Sequence, residues 1–336
     1  MVNEDRRFKK ANNQLNDLRK KWLKSINPVM EVMVMEEMEK PRKTFLYQRG
    51  DYNSPAGEVI PETPEVLPPL NPDAPRNRLG LARWLFNDSH PLTARVAVNH
   101  YWQMIFGQGL VRTPTDFGLQ GSLPSHPKLL DWLAVEFQSN GWDIKALLKM
   151  MVLSETYQQS SKITKELQEK DPTNIYHARS HSYRLSAEMI RDNALAISGL
   201  LVNQVGGPSV KPYQPPGLWK EKNTFSIKLL EYKKTGGDSL YRRGMYTFIK
   251  RGSPPPSMVS FDAISREICT VKRENTSTPL QALVLLNDTQ YFEAARFLAE
   301  RLKQEKGTSL EEQLINGFRL VTSRFPKQQE LDILLN

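Results

Sequence analysis

Residues 127–154 read PKLLDWLAVEFQSNGWDIKALLKMMVLS. The first half carries an apolar stripe with the spacing of an α-helix, at Leu130, Leu133, Ala134 and Phe137. Pro127 stands in the first turn, and Asn140-Gly141 predicts the end of this helix. Asp143 then predicts the cap of a second helix with its own apolar stripe. Because the connection is so short, the stretch predicts an antiparallel helical hairpin.

Helical periodicity continues on both sides of this hairpin. Thr278-Pro279-Leu280-Gln281 is a capping box with proline at the first helical position, and we expect its helix to break at Asn287-Asp288. The other predicted helices are 76–87, 93–106, 185–203, 289–304, 309–321 and 326–335. The sequence therefore predicts a mainly α, irregular multi-helix domain with long Pro-rich loops.

The first 75 residues have a different pattern. Residues 6–25 predict a polar helix that needs a partner surface. Residues 29–35 and 44–49 predict two strands that pair as a small β-ribbon, and residues 53–75 contain seven prolines. Such a proline-rich stretch is typical of an extended connector. We predict two parts, 1–75 and 76–336, with one further strand in the second at 245–249.

Composition excludes several classes of protein. The 336 residues contain one cysteine, so an intrachain disulfide and a four-thiolate metal site are excluded. No apolar run is long enough for a membrane span, and the first residues lack the apolar core of a signal peptide. No nucleophile elbow, Walker loop, dinucleotide fingerprint or His-Glu-x-x-His motif is present.

The net charge of +9 is unevenly distributed. Residues 1–24 hold eight basic and three acidic side chains, and residues 211–251 hold ten and three. Aromatic residues stand among the charges of the second run: Tyr213, Trp219, Phe225, Tyr232, Tyr241, Tyr246 and Phe248. This mixture suits an acidic polysaccharide, or nucleic acid, the weakest of our hypotheses. The favoured interpretation is a solvated loop surface with its aromatic side chains turned inward.

Ordered blocks of sequence carry a family resemblance over residues 76–336. They include Arg95–Gln103, Phe106–Arg112, Arg184–Asp192, Tyr213-Gln-Pro-Pro-Gly217, Pro254-Pro-Pro256, Arg266-Glu-Ile-Cys269 and Thr278–Asp288. The chain resembles the conserved C-terminal domain of unknown function of planctomycete-type cytochrome-c-domain proteins, which also occurs in Bacteroidetes and Verrucomicrobia.

The resemblance implies an extracytoplasmic, periplasmic location. It also implies an upstream domain of the same protein, or a co-exported protein, as partner. The family's haem-attachment motif is absent here, so we expect no cofactor in this chain, and His100 stands where the family has arginine. We predict an interaction or scaffold module associated with cytochrome-c-type proteins that binds an anionic glycan or a partner protein. The alternative is an enzyme acting on a polysaccharide or other anionic polymer.

Acidic side chains supply the catalytic candidates for that alternative. Glu188 and Asp192 lie one helical turn apart and share a helix face, and Asp262 is the third candidate. Paired carboxylates divide acid and base roles or bind a divalent ion. Because Arg184 and Arg191 are close in sequence, an ion-pair network is the favoured alternative.

Basic side chains supply the anion-binding candidates. Guanidinium groups around the predicted strand at 245–249 would present hydrogen-bond forks to an anion. The proposed set is Arg243, Lys250, Arg251, Arg266 and Arg273, with Arg242 and Lys272 beside it.

The single cysteine and the histidines are further candidate sites. Cys269 stands among basic residues that would favour a thiolate, but we expect it to be buried and inert. A metal site is conceivable at His90, His100 and His126 near Asp116 and Asp131, or at His177 and His181. His90 and His126 precede prolines at helix starts, and packing explains His100. The segment of His177 and His181 has no other zinc signature, so no metal is predicted.

Overall fold

The computed structural model of the chain describes residues 6–26, 32–221, 232–304 and 309–336. In these ranges it contains fourteen α-helices and one two-stranded antiparallel sheet, so the predicted mainly α fold is confirmed. No helix in these ranges has the length and apolar character needed to cross a bilayer. The chain divides into a first unit that ends at His90 and a second that begins at Pro91. The boundary predicted after residue 75 stays a prediction.

The first unit holds two helices and the ribbon: α1 (Arg6–Ile26), β1 (Thr44–Tyr47), β2 (Pro55–Val59) and α2 (Arg78–Leu85). The predicted pairing of residues 44–49 with residues 29–35 is wrong. Residues 32–35 form no strand, and 29–31 lie outside the described residues.

Strand β1 pairs instead with the strand that directly follows it in the sequence. The backbone N–H of Gln48 donates to the carbonyl of Ser54 at 3.0 Å, and that of Asp51 to the carbonyl of Gln48 at 3.0 Å. These bonds reverse the chain within a few residues. The turn after β1 therefore selects the segment that follows it as its partner.

The proline-rich connector packs against one side of helix α2. The Asn77 side chain caps it by accepting from the N–H groups of Leu79 and Gly80. The indole of Trp84 donates to the carbonyl of Pro68 at 2.6 Å. Gly80 is required for the close approach of the connector, because a Cβ there would lie 1.8 Å from the carbonyl oxygen of Pro75.

The second unit is built first around the predicted hairpin. Helices α3 (Thr93–Phe106), α4 (Pro127–Ser139) and α5 (Ile144–Leu153) match the sequence-based expectations. The Asp143 side chain caps α5 by accepting from the N–H of Ala146 at 3.0 Å. Their shared core contains Val98, Trp102, Phe106, Leu110, Val111, Leu130, Leu133, Phe137, Leu147 and Met151.

The other helices of the second unit follow in chain order. They are α6 (Glu155–Gln158), α7 (Lys165–Lys170), α8 (Ala187–Ser198), α9 (Leu218–Glu221), α10 (Pro256–Val259), α11 (Pro279–Asn287), α12 (Thr289–Lys303), α13 (Leu310–Thr322) and α14 (Gln328–Leu335). The expected break at Asn287-Asp288 is confirmed, because Asp288 caps α12 through the N–H of Gln290. A second core forms where Ala187, Met258, Phe261 and Tyr291 meet.

The strand predicted at 245–249 is wrong. Residues Gly244–Tyr246 form a 3₁₀ turn, and only an isolated bridge joins Thr247 to Val210. The N–H of Val210 donates to the carbonyl of Tyr246, and that of Phe248 to the carbonyl of Val210, both at 2.8 Å. Thr247 is buried. The apolar pattern therefore reflects burial of a loop against a neighbouring loop, not a sheet.

Candidate functional site

Two loop segments of the basic 211–251 region run side by side. The N–H of Lys211 donates to the hydroxyl of Thr235 at 2.9 Å, and the N–H of Thr235 donates back to the carbonyl of Lys211 at 3.0 Å. The Tyr232 hydroxyl donates to the carbonyl of Pro212. Residues 211–220 and 232–235 are thereby brought together.

These segments enclose a cavity of about 350 Å³. Its described lining residues combine rings, lysines and one amide: Tyr213, Gln214, Pro216, Gly217, Trp219, Lys220, Tyr232 and Lys234. We call this cavity the aromatic–lysine pocket. None of these lining residues is acidic, so an anion entering the cavity meets no carboxylate among them.

Aromatic rings and lysines alternate around the pocket. Trp219 is buried, and its ring stands edge-on to that of Tyr232 at 5.1 Å between centroids. The Lys234 ammonium lies 4.2 Å from the ring centroid of Tyr213. The ammonium groups of Lys211 and Lys250 lie 5.1 and 4.7 Å from the Trp219 ring. Such cation–π contacts hold the charges close to the rings.

A tyrosine–glutamate contact supports the back of the pocket. The hydroxyls of Tyr213 and Tyr241 donate to the same Oε1 atom of Glu293, at 3.0 and 3.2 Å. Burial, and then the Glu293 carboxylate, raise the pKa of Tyr213 to about 12. The phenol therefore remains a proton donor at neutral pH, and the ring beneath Lys234 is fixed in place.

Gln214 is a polar side chain of the pocket whose hydrogen-bonding atoms are uncompensated among the described residues. Both amide atoms of Gln214 are buried, and neither has a hydrogen-bond partner among the described residues. A buried amide without partners is costly, and most such groups in proteins are satisfied. A ligand hydroxyl in the pocket would offer this amide both a donor and an acceptor, and an anionic ligand group would offer an acceptor to its NH₂.

The three acidic candidates do not share this pocket. Glu188 pairs with Arg273 at 2.6 Å, Asp192 pairs with Arg243 at 3.5 Å, and Asp262 pairs with Arg184. Each carboxylate has a separate cationic partner, as in the ion-pair alternative. Their use as catalytic residues stays a prediction that this geometry does not favour.

Hydrogen bonds lower the pKa of two of these carboxyl groups. Burial opposes ionisation of Glu188, but the hydrogen bond and charge of Arg273 bring its pKa below the ordinary value. The pKa of Asp262 is lowered chiefly by the backbone N–H of Thr276, which donates to it at 2.8 Å. Both groups are thus carboxylates committed to structural contacts at neutral pH.

The proposed anion-binding set is dispersed as well. Arg243 and Arg273 are engaged by the carboxylates just described, and Arg266 donates to the carbonyl of Thr247 at 3.4 Å. Arg251 is exposed and is not among the residues that line the pocket. Only Lys250 adjoins the aromatic–lysine pocket, through Trp219.

The structure places Arg242 and Cys269 in environments that differ from those expected of them. The Arg242 guanidinium is buried and donates to the carbonyls of Gln204, Gly206 and Pro208, so it anchors a loop. The expectation that Cys269 is buried is wrong: its side chain is free and exposed. It lies in the irregular 264–277 segment, which contributes no residue to either core.

Three histidines form a group that the sequence spacing indicated only for His177 and His181. The ring of His177 contacts those of His126 and His181, with centroids 5.7 and 5.3 Å apart. His90 packs edge-on to Trp84, and His100 lies 3.5 Å from the carbonyl of Pro114. In the part of the chain that the structure describes, no three His, Cys, Asp or Glu side chains are arranged to hold a metal ion.

Sequence reasoning identified the aromatic residues of the pocket but missed their polar neighbours. Gln214, Lys220 and Lys234 line the cavity, yet nothing in their spacing sets them apart. The available signal was the Tyr213-Gln-Pro-Pro-Gly217 block, because two prolines and a glycine fix the backbone that presents Tyr213 and Gln214. Phe225 lies outside the described residues.

The fold and this pocket define a mainly helical protein with a basic, aromatic cavity built from irregular loops and the short helix α9. Residues 77–336 match the model of a family described as PSD1, protein of unknown function (DUF1553), and the chain belongs to that family. No curated protein and no solved structure is significantly similar to the chain.

Proposed function

We propose that the chain is an extracytoplasmic binding module that takes an acidic segment of a polysaccharide into the aromatic–lysine pocket. The observation that carries the proposal is the composition of the cavity wall: three aromatic rings, two lysines and one amide, with no acidic side chain among the described lining residues. Rings pack on the apolar faces of sugars, while ammonium groups attract sulfate or uronate groups. The pocket supplies both kinds of contact within about 350 Å³.

The family resemblance supports the wider setting of this proposal. It associates the chain with cytochrome-c-type proteins of the periplasm, where an upstream domain or a co-exported protein would be the partner. In that setting the chain holds a glycan and carries no haem of its own.

Binding of the full chain to heparin and to uncharged dextran tests the proposal. At about 0.15 M ionic strength, where diffuse surface attraction is largely screened, heparin should still bind and dextran should not. Lys234→Gln removes a charge from the pocket and should weaken heparin binding about tenfold, the value of one charge-assisted hydrogen bond. Isothermal titration calorimetry measures both affinities.

Lys233→Gln is the matched control, because it removes the same charge from the neighbouring residue, which does not line the pocket. It should change the affinity less than about twofold, as expected of an exposed charge. Equal losses in the two variants would mean that heparin senses only the general positive charge of the region. Equal binding of dextran would show that the ligand need not be anionic.

A further inference from the structure

Helix α1 has one apolar face that no side chain of the described residues covers fully. Phe8, Leu15, Leu18 and Trp22 recur at the spacing of a single helical stripe. Their exposed fractions are 43%, 46%, 63% and 62%, although side chains of this size are normally buried. An apolar face of this length, on a helix of twenty-one residues, needs a surface to cover it.

The rest of the same helix is strongly basic. Arg6–Ile26 contains eight lysines and arginines and one acidic residue, Asp17. Lys9, Lys10, Lys20 and Lys21 fall on the side opposite the apolar stripe when the sequence is placed at 100° per residue. Basic residues on one side and Phe, Leu and Trp on the other are typical of helices that lie in the interface of a membrane.

We propose that α1 binds the surface of an anionic lipid membrane. It would lie parallel to the bilayer, with Phe8, Leu15 and Trp22 inserted at the level of the acyl-chain boundary and the lysines among the lipid headgroups. Charge complementarity favours this occupant over a second copy of the chain. Each copy of the helix has eight basic residues and one acidic residue, so two copies would bring sixteen basic residues together against two acidic ones. The two helices would therefore repel each other.

The test is cosedimentation of the full chain with lipid vesicles. Vesicles of phosphatidylcholine and phosphatidylglycerol in equal parts should bind the wild type, and phosphatidylcholine alone should bind it at least about tenfold more weakly. Leu15→Glu places a charge in the apolar stripe, and glutamate keeps a high helix propensity. It should reduce partition into the anionic vesicles by about tenfold or more.

Asn13→Glu is the matched control, because it adds the same charge on the basic side and leaves the stripe intact. It should lower partition only a few-fold. In addition, brominated lipids should quench part of the tryptophan fluorescence of the wild type. Trp22→Phe leaves five of the six tryptophans, and the fluorescence of this variant should no longer be quenched.

Three results would overturn the proposal. The first is no binding of the wild type to anionic vesicles. The second is equal partition of Leu15→Glu and Asn13→Glu, which would leave only an electrostatic contact. The third is a dimer in analytical ultracentrifugation that Leu15→Glu dissociates while vesicles do not bind, which would make a second copy the occupant.

Discussion

Arg191 is a buried, charged side chain of helix α8. It binds the loop of residues 240–242, which includes Tyr241. Its Nε donates to the side chain of Gln290 at 2.9 Å, and its guanidinium also donates to the carbonyls of Leu240 and Arg242. Burial lowers the pKa of Arg191 from its ordinary value, but the neighbouring Asp192 carboxylate opposes this effect. The guanidinium remains charged because several acceptors surround it.

Arg191→Met should cost about 3–5 kcal/mol of the free energy of unfolding, because the buried acceptors lose their donors at once. Urea unfolding followed by circular dichroism measures the change. Arg296→Met is the control: its exposed pair with Glu300, at 3.7 Å, should be worth less than about 0.5 kcal/mol. Similar losses in both variants would show that the buried network adds nothing to stability.

At the scale of elements, the cap of α5 sets the turn of the helical hairpin. Asp143→Ala removes the acceptor for the N–H of Ala146 and should cost about 1 kcal/mol. Asp143→Asn keeps an acceptor in the same place and should recover most of this loss. Thermal unfolding of the wild type and the two variants measures the order of their stabilities. An asparagine variant no more stable than the alanine variant would mean that the carboxylate acts through charge and not as a cap.

The sequence predicted this hairpin well and the loops poorly, for a physical reason. Helices α3, α4 and α5 depend on local signals, namely apolar periodicity, Pro127 and Asp143, which lie within a few residues of the structure they determine. The 245–249 segment has the composition of a strand, but its conformation depends on Val210, which is distant in sequence. The ribbon was mispaired although its determinant is local, because the turn at 48–54 that decides the partner of β1 was not recognised.

The pocket could be predicted only in part, by the same argument. The aromatic residues of 211–251 were visible as a group, but the meeting of Gln214 with Lys234 depends on the pairing of Lys211 with Thr235. The acidic candidates illustrate the opposite case. Glu188 and Asp192 share helix α8, as predicted. Each of them pairs with an arginine from a different loop, however, so the two carboxylates do not form one site.

At the scale of the whole molecule, the histidine group makes stability depend on pH. His177 packs edge-on to Trp102 at 5.2 Å and to Phe106 at 5.6 Å, both in the first core of the second unit. Burial, and then the charges of His181 and His126, lower its pKa to about 4, and only Asp171 acts in the other direction. The unfolded chain, with an ordinary histidine pKa near 6.5, therefore binds the proton more readily than the folded one.

It follows that the free energy of unfolding falls as the pH drops from about 6.5 to about 4 and is then independent of this group at lower pH. Between pH 7 and pH 5 the loss due to His177 should be about 1 kcal/mol, after allowance for solvent screening at a partly exposed ring. His177→Asn should remove that part of the slope. Asparagine tolerates the left-handed backbone at this position, where φ is +52°.

Urea unfolding at pH 7 and pH 5 measures the slope, and His100→Asn is the control because His100 lies outside the histidine group. The control should keep the full difference between the two pH values. If His177→Asn keeps it too, another group causes the acid destabilisation. The comparison uses differences in the free energy of unfolding of one variant between two pH values, so packing lost at position 177 cancels and the proton linkage remains.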